Sequence, residues 1–570
     1  MHQFAVWAPA ADRVGLELAD GVRKMEAADG GWWRLRVDDA GHGTDYAFRL
    51  DAGEPRPDPR SPWQPEGVHG PSRVFDTGLF DWSDAGWTGR AVGGSLFYEL
   101  HIGTFTDTGT FDAAIERLGY LVDLGVEMVS LLPVAAFPGV NGWGYDGVDL
   151  FAVHEPYGGP AGLQRFVDAC HAAGIGVCLD VVYNHLGPSG NYLAEFGPYF
   201  TERHHTPWGP AVNLDDTGST EVRRWICDNA LRWFREFHLD ALRLDAVHAL
   251  LDESPVHLLA QMSEEVAALS AELGRPLGLI AESDLNDPRT VEPVADGGLG
   301  MTAQWSDDFH HALHALLTGE RNGYYVDFGT PAVLAKALTR VFLHDGTYST
   351  FRGSAWGRPI DAARNRGHSF LAYTSNHDQV GNRALGDRPA ASLTPGQLAI
   401  GAALTLCSPF TPMLFMGEEW AASTPWRYFT DHPDPELAEA VRSGRRHEFD
   451  GYGWATDDIP DPQDPATRDV SVLDWSEPDR EPHRAILDWY AALIRLRAAE
   501  PDLTDDHLDR VHADYADDRF VLRRGSITIA ANLSTDPVHF PLPGLLLEAF
   551  GTVEDDTLGP HSTAIFRTDG

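Results

Sequence analysis

The chain has 570 residues, with 43 Lys+Arg against 85 Asp+Glu and a formal net charge of −42. A surface of that sign repels a nucleic-acid backbone, and with 43% hydrophobic residues the chain has ample material for a large core, which excludes disorder. At roughly 100–200 residues per domain, the length spans more than one domain. Seventeen Trp in an acidic chain point to neutral ligands with apolar faces, sugars among them. Cys170, Cys178, Cys227 and Cys407 lie in apolar runs without metal-like spacing, as reduced core thiols do. The N-terminus MHQFAVWAPAADRVG has neither the basic start nor the apolar stretch of a secretion signal, so a cytoplasmic location is expected.

In chain order, residues 1–88 alternate apolar and polar positions in FAVWAP, RVGLEL, GWWRLRV and TDYAFRL, which predicts a small immunoglobulin-like β-sandwich. Over 89–498 the rhythm becomes apolar strand, helix, apolar strand. The strand candidates are SLFYELHIGTF, VEMVSLLPV, GIGVCLDVV, LDALRLD, PLGLIAE and SFLAYTSNHD, and helices such as TFDAAIERLGYLVDLG, AGLQRFVDACHAAG and EVRRWICDNALRWFREF lie between them. Strands of continuous apolar character are covered on both faces, so the prediction is an α/β fold of TIM-barrel type, (β/α)8, with a doubly wound sheet as the alternative. Leu398 to Met416 carries no charge and could pass for a membrane span, but Pro409 and Pro412 divide it into a buried helix and a barrel strand. Residues 499–570 return to strands (RFVLRR, ITIAANL, STAIFRT) and predict a C-terminal β domain.

In a parallel barrel the working residues stand at the C-terminal strand ends. DVVYNH ends in Asn184 and His185, LRLDAVH contains Arg243, Asp245 and His248, LGLIAES ends at Glu282, and SNHDQ contains His377, Asp378 and Gln379. One carboxylate after a strand is usually a cap or a solvated loop group, whereas Asp245, Glu282 and Asp378 on one rim read as a shared site. Arg243 precedes Asp245 by two residues and so shares its strand face, where it would keep that carboxylate ionised for nucleophilic attack. The apolar setting of Glu282 would keep it protonated as a general acid. One ionised and one protonated carboxyl is the requirement for glycoside hydrolysis with retention.

In order and spacing, DVVYNH, LRLDAVH, the Glu282 strand end and SNHDQ resemble the four short conserved regions of the α-amylase family of glycoside hydrolases. The resemblance implies Asp245 as nucleophile, Glu282 as proton donor and Asp378 as the carboxylate that stabilises the transition state. It also implies that Arg243, His185, His377 and Tyr145 (in GWGYDG) contact the sugar in subsite −1. RPDPRSPWQPEGVHGPS, NGWGYDGVDLFAVHEPYGGP and PWRYFTDH look like the trehalose-releasing members of that family, as does a short domain B over about 186–218.

Many members carry Lys-His three and four residues after the nucleophile; here the pair is His248-Ala249, which argues against a structural calcium there and turns His248 toward the leaving group. WSDDFHHALH should follow the sixth strand, with Asp307, Asp308, His310 and His311 as substrate contacts and Gln379 and Asn382 as further ones. A zinc site on His310 and His314 is the rival reading, although the glutamate and third ligand of such motifs are absent. His204 and His205 read as loop residues, and Glu418 and Glu419 as loop organisers. The resemblance implies a retaining hydrolase that frees trehalose from maltooligosyl-trehalose, needs no cofactor or metal, has no nucleic-acid or membrane partner, and works after a maltooligosyl-trehalose synthase. A glycogen branching enzyme is the nearest alternative, and a carbohydrate-binding protein without catalysis the more distant one.

Overall fold

The computed structural model describes residues 1–449, 459–541 and 544–568. Its centre is a closed parallel barrel of β1 (Phe97–Leu100), β2 (Met128–Leu131), β3 (Gly176–Val181), β4 (Ala241–Leu244), β5 (Gly278–Ala281), β6 (Ala303–Trp305), β7 (Phe370–Ala372) and β8 (Thr411–Phe415). The last strand closes on the first, with Met413 opposite Phe97. All residues of β1 to β5 are buried, as strands with helices outside and side chains inside require. Phe97, Met128, Cys178, Ala241, Ile280, Ala303, Leu371 and Met413 form one cluster, the filling of the barrel. The cysteines are free and buried, and Cys178 is one of the filling side chains.

Two antiparallel sheets precede the barrel. His2–Trp7 pairs with Trp32–Val37, and Val14–Leu18 pairs with Gly21–Lys24 and Asp45–Leu50. Their inward residues Phe4, Val6, Leu16 and Phe48 share one core with the barrel helices. After the helix His483–Ala499 the chain forms a five-stranded sheet in the order Val511–Ala516, Arg519–Arg524, Ile527–Asn532, Thr563–Arg567, Leu545–Phe550.

Two local readings change and one holds. TFDAAIERLGYLVDLG is two short helices, Phe111–Ile115 and Leu118–Leu124, the second stopped by Gly125 at φ 97°. The uncharged stretch from Leu398 to Met416 divides into the end of the helix Pro395–Leu406 and β8. Among the described residues no helix is long and apolar enough to cross a membrane. His204 and His205 are not in a loop: they lie on the strand Phe200–Thr206, which pairs with Gly209–Val212 as a hairpin above the barrel. Its alternation was hidden by the run of polar side chains it presents.

Candidate active site

The period of two along a strand builds the site. Two residues beyond each barrel-filling side chain the next inward position is reached. Phe97 leads to Glu99, Cys178 to Asp180, Ala241 to Arg243 and Asp245, Ile280 to Glu282, Ala303 to Trp305 and Leu371 to Tyr373. A layer of charged and aromatic groups therefore lies directly on the apolar filling, at the C-terminal rim.

Arg243 is the hub of that layer. It is 1% exposed, and its register partner on β3 is Asp180. One amino group donates to both Asp180 oxygens at 2.9 and 2.7 Å and to Asp245 Oδ1 at 2.9 Å. The other lies 3.1 Å from Glu282 Oε2 and 3.9 Å from Asp378 Oδ2. The guanidinium also sits over the Trp305 ring, 4.2 Å from its centroid, a cation–π contact that water cannot screen. Asn184 donates to Asp245 Oδ2 at 2.6 Å and to its carbonyl at 2.9 Å, so the remaining oxygen of Asp245 is fixed as well.

The electrostatics separate the carboxyls. Burial pushes Glu282 well above the usual carboxyl range, Arg243 opposes the rise, and the charges of Asp245 and Asp378 reinforce it. Burial also lifts Asp180, but only to about 6 against the pull of Arg243. On the far side, Tyr145 Oη is 2.6 Å from Asp180 Oδ2 and 2.7 Å from His377 Nε2, and the Tyr145 and His377 rings stack at 5.3 Å and 19°.

Above this floor opens a cleft of about 1250 Å³, lined by Tyr145, His185, Asp245, His248, Glu282 and Asp378 together with Trp143, Trp208, Tyr324 and Phe351. Aromatic walls around a few convergent carboxyls suit a ligand with apolar faces and many hydroxyls. The comparisons with known proteins agree. Residues 81–206 match the family described as Alpha amylase, catalytic domain, and residues 506–565 match the Domain of unknown function DUF3459. The malto-oligosyltrehalose trehalohydrolase of Mycobacterium tuberculosis (strain CDC 1551 / Oshkosh) is 52% identical over 572 residues, 99% of this chain and 98% of its own length. The chain belongs to the malto-oligosyltrehalose trehalohydrolases of the α-amylase family. The relative of the same name from Arthrobacter ramosus is also 52% identical, over 98% of each chain. The crystal structure of a putative alpha amylase from Salmonella typhimurium superposes with a TM-score of 0.92 at 37% identity, covering 100% of this chain and 97% of the other.

The structure sorts the residues singled out in the sequence. Asp245, Glu282, Asp378, Tyr145, His185, His248, Asp307, His311, Gln379 and Asn382 line the cleft, while Arg243 and His377 lie buried directly beneath it. Asp308 and His310 do not reach it. On the helix Asp307–Thr318 positions four apart share a face, so Asp307 and His311 look into the cleft and their neighbours look away. Asp308 accepts from Asn286 at 2.9 Å and from the Leu343 backbone at 2.6 Å, a structural role. His310 stacks on His314 at 5.4 Å and 20°, and His314 Nε2 is paired with Glu320 at 2.9 Å, so the pair of histidines makes a ring stack rather than a ligand pair. Glu418 takes hydrogen bonds from Ser375 and Tyr490, and Glu419 from Tyr98 and Tyr120, tying the last strand end to its surroundings. Tyr428 and Thr430 of the PWRYFTDH segment also line the cleft.

Sequence reasoning passed over Glu99, Asp284 and the wall residues Trp208, Tyr324, Phe351 and Arg352. Glu99 lies inside β1, one residue before its end, within the apolar run SLFYELHIGTF. Asp284 follows Glu282 by two residues and accepts from Arg352 at 2.7 Å, with His248 Nδ1 3.7 Å away. The wall residues stand on two hairpin turns and a short 3-10 helix whose approach to the rim no local pattern announces.

Proposed function

We propose that the chain hydrolyses the α-1,4-glucosidic bond next to the terminal trehalose of a maltooligosyl-trehalose, releasing trehalose and a shortened maltodextrin with retention of configuration. The observation that carries this reading is 52% identity over nearly the full length to enzymes named for that reaction, together with one guanidinium shared between Asp245 and Glu282. Carboxyls held against a single cation stay close, which favours the separation of about 5–5.5 Å of retaining enzymes over the wider gap that admits a water.

In this mechanism Asp245 attacks the anomeric carbon of the glucosyl unit at the cleavage point. Its oxygens are aimed by Arg243 and Asn184. Glu282, kept protonated by burial, gives its proton to the glycosidic oxygen as the bond to trehalose breaks. The deprotonated Glu282 then takes a proton from water, which attacks the same carbon and frees Asp245. Asp378 stands across the cleft to hold sugar hydroxyls and the positive charge that develops on the ring. Tyr145, with His185 and His377, forms the floor under that sugar; His248, Asp307, His311, Gln379 and Asn382 contact the remaining units. The substrate comes from a maltooligosyl-trehalose synthase, and the reaction belongs to the cytoplasm.

Incubation with maltotriosyl-trehalose and, separately, with maltopentaose tests the reading by anion-exchange chromatography of the products. Free trehalose from the first and slow or no cleavage of the second are expected. Equal cleavage of both makes the chain a general α-glucan hydrolase, and branched products without trehalose make it a branching enzyme.

A further inference from the structure

Glu99 is the penultimate residue of β1 and is 2% exposed. Its two oxygens go to a single residue: Oε2 accepts from the His377 backbone N–H at 2.8 Å, and Oε1 lies 2.8 Å from His377 Nδ1. The other ring nitrogen, Nε2, faces Tyr145 Oη at 2.7 Å, and the same hydroxyl faces Asp180 Oδ2 at 2.6 Å. A phenol has one proton to give. Asp180 accepts two hydrogen bonds from Arg243 and offers no proton, so the phenol proton goes to Asp180 and Nε2 must donate to the phenol. Nδ1 must likewise donate to the Glu99 carboxylate. Only the imidazolium donates from both nitrogens.

We propose that Glu99 is a positioning residue that fixes His377 as an imidazolium, and that the resulting chain Glu99–His377–Tyr145–Asp180 locks the Tyr145 ring as the floor of the cleft beneath the bond to be cleaved. The proposal rests on the reaction given above and adds the element that pre-organises it. The carboxylates facing His377 favour the charge, and Arg243 opposes it. Asp378 Oδ2 is 3.4 Å from Nε2, the rings of Trp143 and Trp305 stand at 5.9 Å, and the opposing cation Arg243 is itself spent on carboxylates. His101, beneath the same floor, is held neutral by burial, which lowers it to about 3. Burial alone would lower His377 too, but the charges of Asp378 and Glu99 override it and raise the ring to about 9.

Without the Glu99 charge the ring loses its second proton near neutrality, because an opposite charge at contact distance is worth roughly 1–3 pH units. Nε2 then competes with Asp180 for the one phenol proton, and Tyr145 is no longer held in a single position. Misplacement on the scale of 1 Å costs up to about 10²-fold in rate.

The test is Glu99→Gln, which keeps the shape and the acceptor for the backbone N–H. Two readouts are compared with the wild type: kcat on maltotriosyl-trehalose from pH 5 to pH 9, and the protonation of His377 followed by NMR on histidine-labelled protein, assigned with His377→Gln. The expected result is a kcat reduced at least about 10-fold at pH 7, recovering toward the wild-type value as the pH falls and the ring is protonated from solution. A deficit equal at every pH, an unchanged profile, or a ring that stays doubly protonated in the variant overturns the proposal. If the variant does not fold, the wild-type ring alone decides: it is doubly protonated at pH 8, and a neutral ring there refutes the role. If the wild type frees no trehalose, the functional reading has failed instead, and the same comparison is run on whichever α-glucan it cleaves.

Discussion

The backbone N–H of Ala246 donates a 2.6 Å hydrogen bond to the Glu282 carboxyl, so the residue that follows Asp245 holds the acid at the end of the neighbouring strand β5. Ala246 takes φ 40° and ψ 52° to do so, a left-handed conformation that costs an L-residue roughly 1–2 kcal/mol. The two carboxyls thus share a turn of backbone as well as the guanidinium of Arg243.

Glu282→Gln keeps the acceptor for Ala246 and removes the proton. Its kcat on maltotriosyl-trehalose should fall by about 10²–10⁴-fold, the usual worth of a general acid, with little change in KM. The same variant should alter stability in a pH-dependent way. The folded chain holds the Glu282 proton above the ordinary value of 4.5, so this group's contribution is full below that value and is lost as pH rises through the higher folded value. A glutamine does not titrate, so the melting temperature of the variant relative to wild type should rise from pH 5 to pH 8, measured by calorimetry.

Arg243→Leu should unfold far more readily than the wild type in a denaturant titration. It leaves Asp180 and Asp245 buried beside each other without their cation, and breaking a buried ion pair on one side costs roughly 3–5 kcal/mol. Arg243→Lys keeps a charge but cannot serve both sides of the rim; it should fold better than the leucine variant while remaining impaired in kcat.

Much of this arrangement is legible in the sequence, for a physical reason. A continuous apolar strand that ends in a charged residue has one reading in a parallel barrel, and that pattern fixes β3, β4, β5 and β7 together with Asp245, Glu282 and Asp378. Depth and sharing are not legible. Among the carboxyls Arg243 reads as the partner of Asp245, and by resemblance as a sugar contact, yet its register with Asp180 across β3 and β4 buries it as the cation common to four carboxyls. Glu99 lies hidden inside the apolar run SLFYELHIGTF, because strand β1 stops at Leu100 rather than continuing. Asp308 and His310 read as substrate contacts because helix phase relative to the cleft depends on how the helix docks, which its own sequence does not state.

Gly144→Ala should cost both stability and activity. Gly144 has φ +101°, and a Cβ there would stand 2.3 Å from the Pro133 carbonyl oxygen, backbone that cannot yield like a side chain. The displacement falls on the next residue, Tyr145, and a shift of its ring should lower kcat by up to about 10²-fold, seen together with a lower melting temperature.

Trp208→Ala should act on binding alone. The ring is 51% exposed, lies parallel to His185 at 4.6 Å and 8°, and lines the cleft. Its loss removes a stacking surface of about 0.5–1.5 kcal/mol, which should raise KM by roughly 2- to 12-fold while kcat and the melting temperature stay close to the wild-type values.

Asp245 and Glu282 are expected to split the bond to trehalose with retention. Proton NMR of the first minutes of reaction with maltotriosyl-trehalose reads both the cleavage and the retention in one spectrum. The anomeric signal of free trehalose should rise in step with the α-anomer of the new reducing end, the β-anomer following only as the sugar mutarotates. A β-anomer that appears first contradicts the covalent role of Asp245, and a new reducing end without free trehalose contradicts the assignment of the leaving group.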